Sequence, residues 1–285
     1  MTDKKNPFPG EDNTGHIWDD NLRELNNPPP RWWMISLWAS IAFFFAYGFI
    51  YPMYPLITDA TAGLTGWTSI GEYKEGLAEL DKIRKPFEDK IKKKTSKEIL
   101  TDKDLSKYVE ASGKVLFGDN CAACHGTGGA GGPDYPILAD DDWLYGGNIE
   151  TIEQTITNGR KGIMTAHGKM LKEDEIMTLS SYVVGLSNSK KNEAGAKLFQ
   201  EKACFACHGA DAKGMTVLGS ANLTDGIWRF GNGTIDDVKQ TISHGVNDVS
   251  DKKTRMAEMP RFKDRLSKDD IKKLAVYVHM FGGGK

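Results

Sequence analysis

Cysteine is scarce in this sequence. Four residues in 285 are too few to staple a chain of this size with disulfides. Neither sign of charge is in excess: 37 Lys and Arg against 39 Asp and Glu give a formal charge of -2. That balance excludes nucleic-acid binding by bulk basicity, and no nucleic-acid recognition motif is present either. Hydrophobic residues at 39% and charged residues at 27% exclude a collagen-like or disordered chain. Alternating polar and apolar runs, the mark of half-buried strands, are also missing, so an all-α fold is expected. What is present is position. All four cysteines fall in two copies of one five-residue pattern.

The first 31 residues are polar and end in Asn26-Asn27-Pro28-Pro29-Pro30, which cannot continue a helix. From Trp32 to Tyr51, 17 of 20 residues are apolar and none is charged. A helix of that length spans about 30 Å, the thickness of a hydrocarbon core. Trp32 and Trp33 stand at one end and Tyr51 and Tyr54 at the other, where aromatic rings favour the membrane interface. A cleaved signal peptide would have a shorter core and a basic leader; this leader holds six acids and four bases. A retained transmembrane anchor in the lipid bilayer is therefore expected over residues 32–57. Arg23 and Arg31 precede it, and residues 52–71 contain neither Lys nor Arg. The positive-inside rule then keeps residues 1–31 in the cytoplasm and sends the rest outside. Residues 58–104 read as a charged helical linker, interrupted by Pro86.

Beyond residue 105 the chain repeats. Gly113 to Phe117 matches Gly195 to Phe199, and Cys121-Ala122-Ala123-Cys124-His125 matches Cys204-Phe205-Ala206-Cys207-His208. Trp143 to Gly146 matches Trp228 to Gly231, and Thr155 to Gly159 matches Thr241 to Gly245. Leu171 through Val183 matches Leu266 through Val278. The offset grows from 82 to 86 and then jumps to 95, so the second copy carries a nine-residue insertion after Gly245. Two related domains are expected, 105–189 and 190–285. Helical periodicity is visible in 105–117, 149–159, 173–186, 190–202, 234–244 and 268–281. The first domain carries six bases and 11 acids, the second 17 bases and 12 acids. Such opposite charge suits either steering of a soluble donor or docking of the domains on each other.

Cys-x-x-Cys-His is the attachment signal for c-type haem. Each thiol forms a thioether with a haem vinyl group, and the adjacent histidine becomes an axial iron ligand. Cys121, Cys124, Cys204 and Cys207 are thus candidates for covalent attachment, and His125 and His208 for axial ligation, giving two haem c. A thioredoxin-like dithiol would need a βαβ context, which is absent. A zinc ribbon has no use for two full copies of the pattern.

The second axial position follows from comparing the copies. Met164 lies seven residues before Leu171 and 18 before Tyr182; Met259 lies seven before Leu266 and 18 before Tyr277. No other candidate pair keeps both spacings. Met164 is therefore assigned to the first copy and Met259 to the second, with Met256 as the competitor three residues upstream. His167 has no counterpart, since Phe262 stands there, and His244 pairs with Asn158; both read as surface or haem-edge groups. His/Met ligation raises the reduction potential, as electron transfer on the oxidising side of a chain requires.

One N-terminal anchor followed by two tandem class I cytochrome c domains resembles the dihaem subunit of cbb3-type cytochrome c oxidases. Gly15-His16-Ile17-Trp18-Asp19, Leu22 to Trp33, Tyr51-Pro52, Leu138-Ala139-Asp140, Trp143 to Gly147 and Asn158-Gly159-Arg160 running on to Met164 carry the resemblance. Thr165 and Ala221 depart from it, where the family usually has proline. The resemblance implies a non-catalytic electron-entry subunit in a bacterial inner membrane with periplasmic haem domains. Its donor would be a soluble periplasmic cytochrome c. Its partners would be a monohaem cytochrome c subunit and the catalytic haem–copper subunit, which would carry the oxygen chemistry and any proton pumping. The span itself contains no histidine. The competing readings are a free membrane-anchored shuttle, a cytochrome subunit of a periplasmic dehydrogenase, and a dihaem peroxidase, which would need one iron without a methionine.

Overall fold

The structure is a computed structural model that describes residues 8, 10–19 and 21–284. The chain divides into two compact units, one up to Ile83 and one from Arg84 onward.

In the N-terminal unit, two short strands precede the apolar segment. β1 (Asn13–Trp18) and β2 (Leu22–Leu25) form an antiparallel hairpin. Arg23 pairs with Glu11, and the Asn26 amide donates to Asp12 at 2.9 Å. This hairpin was not legible as strand, because its apolar residues do not alternate over enough positions. α1 (Arg31–Ile50) follows the proline run and is apolar on all sides, with only Gly48 buried. It is long and apolar enough to cross a membrane. Its two serines donate back one turn, Ser36 to Trp32 O at 2.9 Å and Ser40 to Ser36 O at 2.8 Å, so both serine hydroxyls are satisfied within the helix. The chain then folds back. Leu64 N donates to Phe49 O and Thr65 N to Ile50 O, filling carbonyls that a helix end leaves open.

α2 (Ser69–Lys93) continues past Pro86 without a break, where the sequence predicts an interruption. A proline inside a helix forfeits one backbone bond. Packing of the turns beyond it offsets that loss: the Phe87 ring stacks on Tyr108 with centroids 4.7 Å apart, and Ile91 is fully buried. The expected linker is therefore partly core, since Ile91 and Ile99 both lie in the first hydrophobic cluster.

The C-terminal unit is built from α3 (Ser96–Thr101), α4 (Lys103–Asn120), α5 (Ala122–His125), α6 (Ile149–Asn158), α7 (Glu173–Ser187), α8 (Glu193–Glu201), α9 (Phe205–His208), α10 (Ile235–His244) and α11 (Lys268–His279). The caps are local and readable. Thr95 with Glu98 and Thr234 with Asp237 form capping boxes, and Asp102, Asn148, Asn192 and Ser267 each accept from the third residue on. All six predicted helices are present, with ends within three residues of expectation.

Their packing does not follow the sequence repeats. α11, the last helix of the second copy, packs on α4 and α6 of the first. α7, the last helix of the first copy, packs on α8 and α10 of the second. Two hydrophobic clusters result. One joins Val109, Phe117, Ile152 and Ile156 to Phe262, Ile271, Leu274 and Val276. The other joins Ile176, Leu179 and Val183 to Phe199, Val238 and Ile242. The expected divide at 189/190 thus marks a sequence repeat, not a packing boundary. Each copy contributes its final helix to the other, and the second cluster is made by a continuous stretch inserted into the first. The physical reason is that both final helices carry the same apolar pattern, so either copy can receive either one.

Candidate functional site

Each five-residue pattern forms a single helical turn. In the first, Cys124 N and His125 N both donate to Cys121 O, at 3.1 and 2.9 Å. In the second, Cys207 N and His208 N donate to Cys204 O at 3.3 and 3.0 Å. One turn therefore carries both thiols and the imidazole. A glycine in the left-handed region, Gly126 or Gly209, ends each turn, and the histidine carbonyl then accepts from Gly131 N or Gly214 N.

The imidazoles are fixed in the same way. His125 Nδ1 lies 3.1 Å from Pro136 O, and His208 Nδ1 lies 3.1 Å from Ala221 O. A carbonyl can only accept, so Nδ1 carries the proton and Nε2 keeps its lone pair for a metal. Ala221, one of the two departures from the family pattern, still supplies the carbonyl. Burial holds both imidazoles below the usual histidine range, against the raising effect of that bond. Burial likewise pushes the Cys121 thiol up to about 11 and raises Cys204. None of the four cysteines is in a disulfide.

The methionines sit across the repeat. Met259 packs with Cys121, Ala122, Leu138 and Trp143 against the first cluster, and Met164 with Cys204, Leu223 and Trp228 against the second. The backbone shows why. Arg160 and Met259 exchange both hydrogen bonds, at 3.0 and 2.9 Å, and Met164 and Val246 do the same at 2.9 and 2.9 Å. Each methionine is thereby tied to the residue that follows the capping glycine of the other copy's helix, α6 or α10. The sequence comparison pairs each methionine with its own copy, whereas here Met259 lies against the cluster that includes Cys121 and Met164 against the one that includes Cys204. Met256 is 68% exposed and turns away from the site.

Aromatic and basic groups frame the two sites in parallel. The Arg160 guanidinium lies 4.5 Å over the Tyr145 ring, and that of Arg255 lies 5.0 Å over Phe230. Arg255 follows the insertion and, at the offset of 95, stands where Arg160 stands in the first copy. Arg229 reaches from the second site to Asp142 at 3.2 Å. Burial lowers the Arg229 pKa despite Asp142 and its neighbours. The Nε atoms of Arg229 and Arg255 are buried without a hydrogen-bond partner. Each guanidinium faces a carboxylate through another nitrogen, Arg229 with Asp142 and Arg255 with Asp237, so each Nε–H is a donor still open to a further acceptor. With two cysteines, a tautomer-fixed imidazole and a methionine in each cluster, this donor set fits a covalently held haem whose propionates are acidic.

Comparison with known proteins gives the family. The model of the N-terminal domain of cytochrome oxidase-cbb3, FixP, matches residues 10–58, and that of cytochrome c oxidase, cbb3-type, subunit III matches residues 109–183 and 190–278. The chain belongs to the cbb3-type cytochrome c oxidase subunit III family. The family's curated members are similar along nearly their whole length. The cbb3-type cytochrome c oxidase subunit FixP of Bradyrhizobium sp. (strain ORS 278) is 42% identical over 97% of this chain and 96% of its own. That of Azorhizobium caulinodans is 40% identical over 97% and 94%. The subunit CcoP of Azospirillum brasilense is 37% identical over 99% of both. Membership in this cytochrome family implies haem c.

Proposed function

We propose that this chain is the membrane-anchored dihaem electron-entry subunit of a cbb3-type terminal oxidase. It takes electrons from a soluble periplasmic cytochrome c and passes them toward a monohaem subunit and a catalytic haem–copper subunit. α1 anchors it in the bacterial inner membrane, with the N-terminus cytoplasmic and the C-terminal unit periplasmic. Cys121 and Cys124 would hold one haem c, with His125 and Met259 as its iron ligands. Cys204 and Cys207 would hold the other, with His208 and Met164. Haem iron supplies a reversible one-electron couple, whose potential a thioether ligand raises. The protein's own part is to seat the methionines, keep both imidazoles neutral and exclude water. The observation that supports the reading is the reciprocal backbone pairing, Arg160 with Met259 and Met164 with Val246, together with Met259 packed against the cluster that includes Cys121 and Met164 against the one that includes Cys204.

Two measurements test this. The first is gentle capture of the tagged chain from bacterial membranes. Haem b, copper and cyanide-sensitive oxygen uptake should travel with it; haem c alone would favour a free shuttle. The second uses a Cys204→Ser, Cys207→Ser background that retains one haem. There Met259→Ala should abolish the near-infrared sulfur-to-iron band of the ferric haem, and Met164→Ala should leave it. The opposite result would restore in-copy pairing.

A further inference from the structure

The insertion after Gly245 has no counterpart in the first copy, and electron transfer as such does not require it. Asn247 lies within it and is 4% exposed. Its backbone is left-handed, with φ at +51°, which asparagine tolerates better than most side chains. Its N–H donates to Arg255 O at 2.8 Å. The side-chain Nδ2 donates to Gly162 O and to Ala257 O, each at 2.7 Å, and Oδ1 accepts from Ala257 N at 3.0 Å. Two carbonyls and one amide N–H fit the side chain only one way round, and both of its donors are used.

These partners bracket the two methionines. Gly162 lies midway between Arg160, paired with Met259, and Met164. Ala257 lies two residues before Met259. Val246, the neighbour of Asn247, is paired with Met164. One buried side chain thus ties together both strands that deliver sulfur.

We infer that Asn247 is a joint positioning residue, whose three side-chain hydrogen bonds set the seating of Met164 and Met259 together. The inference rests on the proposed reading of these methionines as axial ligands. Without the amide, two half-buried carbonyls and one half-buried N–H lose their partner, which costs free energy wherever water does not replace it. The cheapest relief is for the two strands to part, and both methionines move with them.

The test is Asn247→Asp in the full chain carrying both haems. Aspartate keeps the size, the tolerance of a left-handed backbone and the acceptor for Ala257 N, but cannot donate to Gly162 or Ala257. Cyanide binding to each ferric haem, which requires the methionine to leave, should accelerate by about tenfold at both sites, the equivalent of about 1.4 kcal/mol. The near-infrared sulfur-to-iron band should weaken and both potentials should fall, with haem c content unchanged. Asn247→Gly, also suited to the left-handed backbone, carries the same expectation if the aspartate variant fails to accumulate. Effects at neither haem, or at one alone, would overturn the inference, provided Met164→Ala and Met259→Ala each abolish one band. If those controls keep their bands, the ligand reading itself fails, and the inference with it.

Discussion

Gly159 and Gly245 end α6 and α10 with φ of +70° and +69°, and each lies against the carbonyl of the methionine from the other copy. A Cβ on Gly159 would collide with Met259 O, and one on Gly245 with Met164 O. Alanine therefore brings both a strained backbone and a backbone clash, about 1–3 kcal/mol. On the proposed ligand pairing, Gly159→Ala is expected to perturb the haem assigned to Cys121 and Cys124, and Gly245→Ala the one assigned to Cys204 and Cys207. Potentiometric titration of each variant checks the assignment. Asp248 acts on the same strand: its Oδ2 accepts from Ala166 N at 2.7 Å and its Oδ1 from Ser250 N at 2.8 Å. The Ala166 bond, then those from Ser250, lower its pKa from 3.8 to about 2. A depressed acid stabilises the fold above its unfolded value and loses that contribution as pH falls through the folded one. Stability should drop between about pH 4 and 2, and Asp248→Asn should remove both the gain and the drop. Denaturant midpoints across that range decide it.

At the scale of elements, the consequence of the exchange is measurable in α11. Leu274 is fully buried there, against helices of the first copy. Leu274→Ala should cost about 2–5 kcal/mol. The damage should appear as lost hydrogen-exchange protection in α4 and α6, while α8 and α10, its own sequence repeat, stay protected. The helices themselves were legible, because 3.6-residue periodicity and capping side chains are local signals. The partner of each last helix was not, because Leu171 to Val183 and Leu266 to Val278 match position by position and present interchangeable faces. Pro86 misled for the opposite reason. A local breaking signal was overridden by Phe87 and Ile91, whose packing lies far along the chain. Cys121, Cys124, His125 and their copies were readable from five adjacent residues. Asn247, Arg229 and Arg255 were not, since their meaning comes only from what stands opposite them.

Across the whole C-terminal unit, the opposite charges of the two copies meet in ion pairs. Arg229 binds Asp142, Lys202 binds Glu175 at 2.8 Å, and Lys239 binds Glu173. Each base comes from the second copy and each acid from the first, so docking is one use of the charge asymmetry. Most of these groups are exposed enough for water to weaken them. Arg229 and Asp142 are the exception, with both side chains 16% exposed. Arg229→Met should leave Asp142 buried without its cation and cost about 2–4 kcal/mol, while adding Asp142→Leu should recover most of that. A double-mutant cycle on the chemical unfolding midpoint measures the difference.

The nested arrangement also fixes the order in which the two clusters can close as the chain is made. Cys121 and Val109 come early, yet the first cluster also needs Met259 and α11. The second cluster draws on residues 164–242 alone, so all of its parts exist while the first still waits. A chain lacking its last 30 residues would lose Met259 and α11 and keep every residue of the second cluster. The cluster that the chain begins first is thus the one it finishes last.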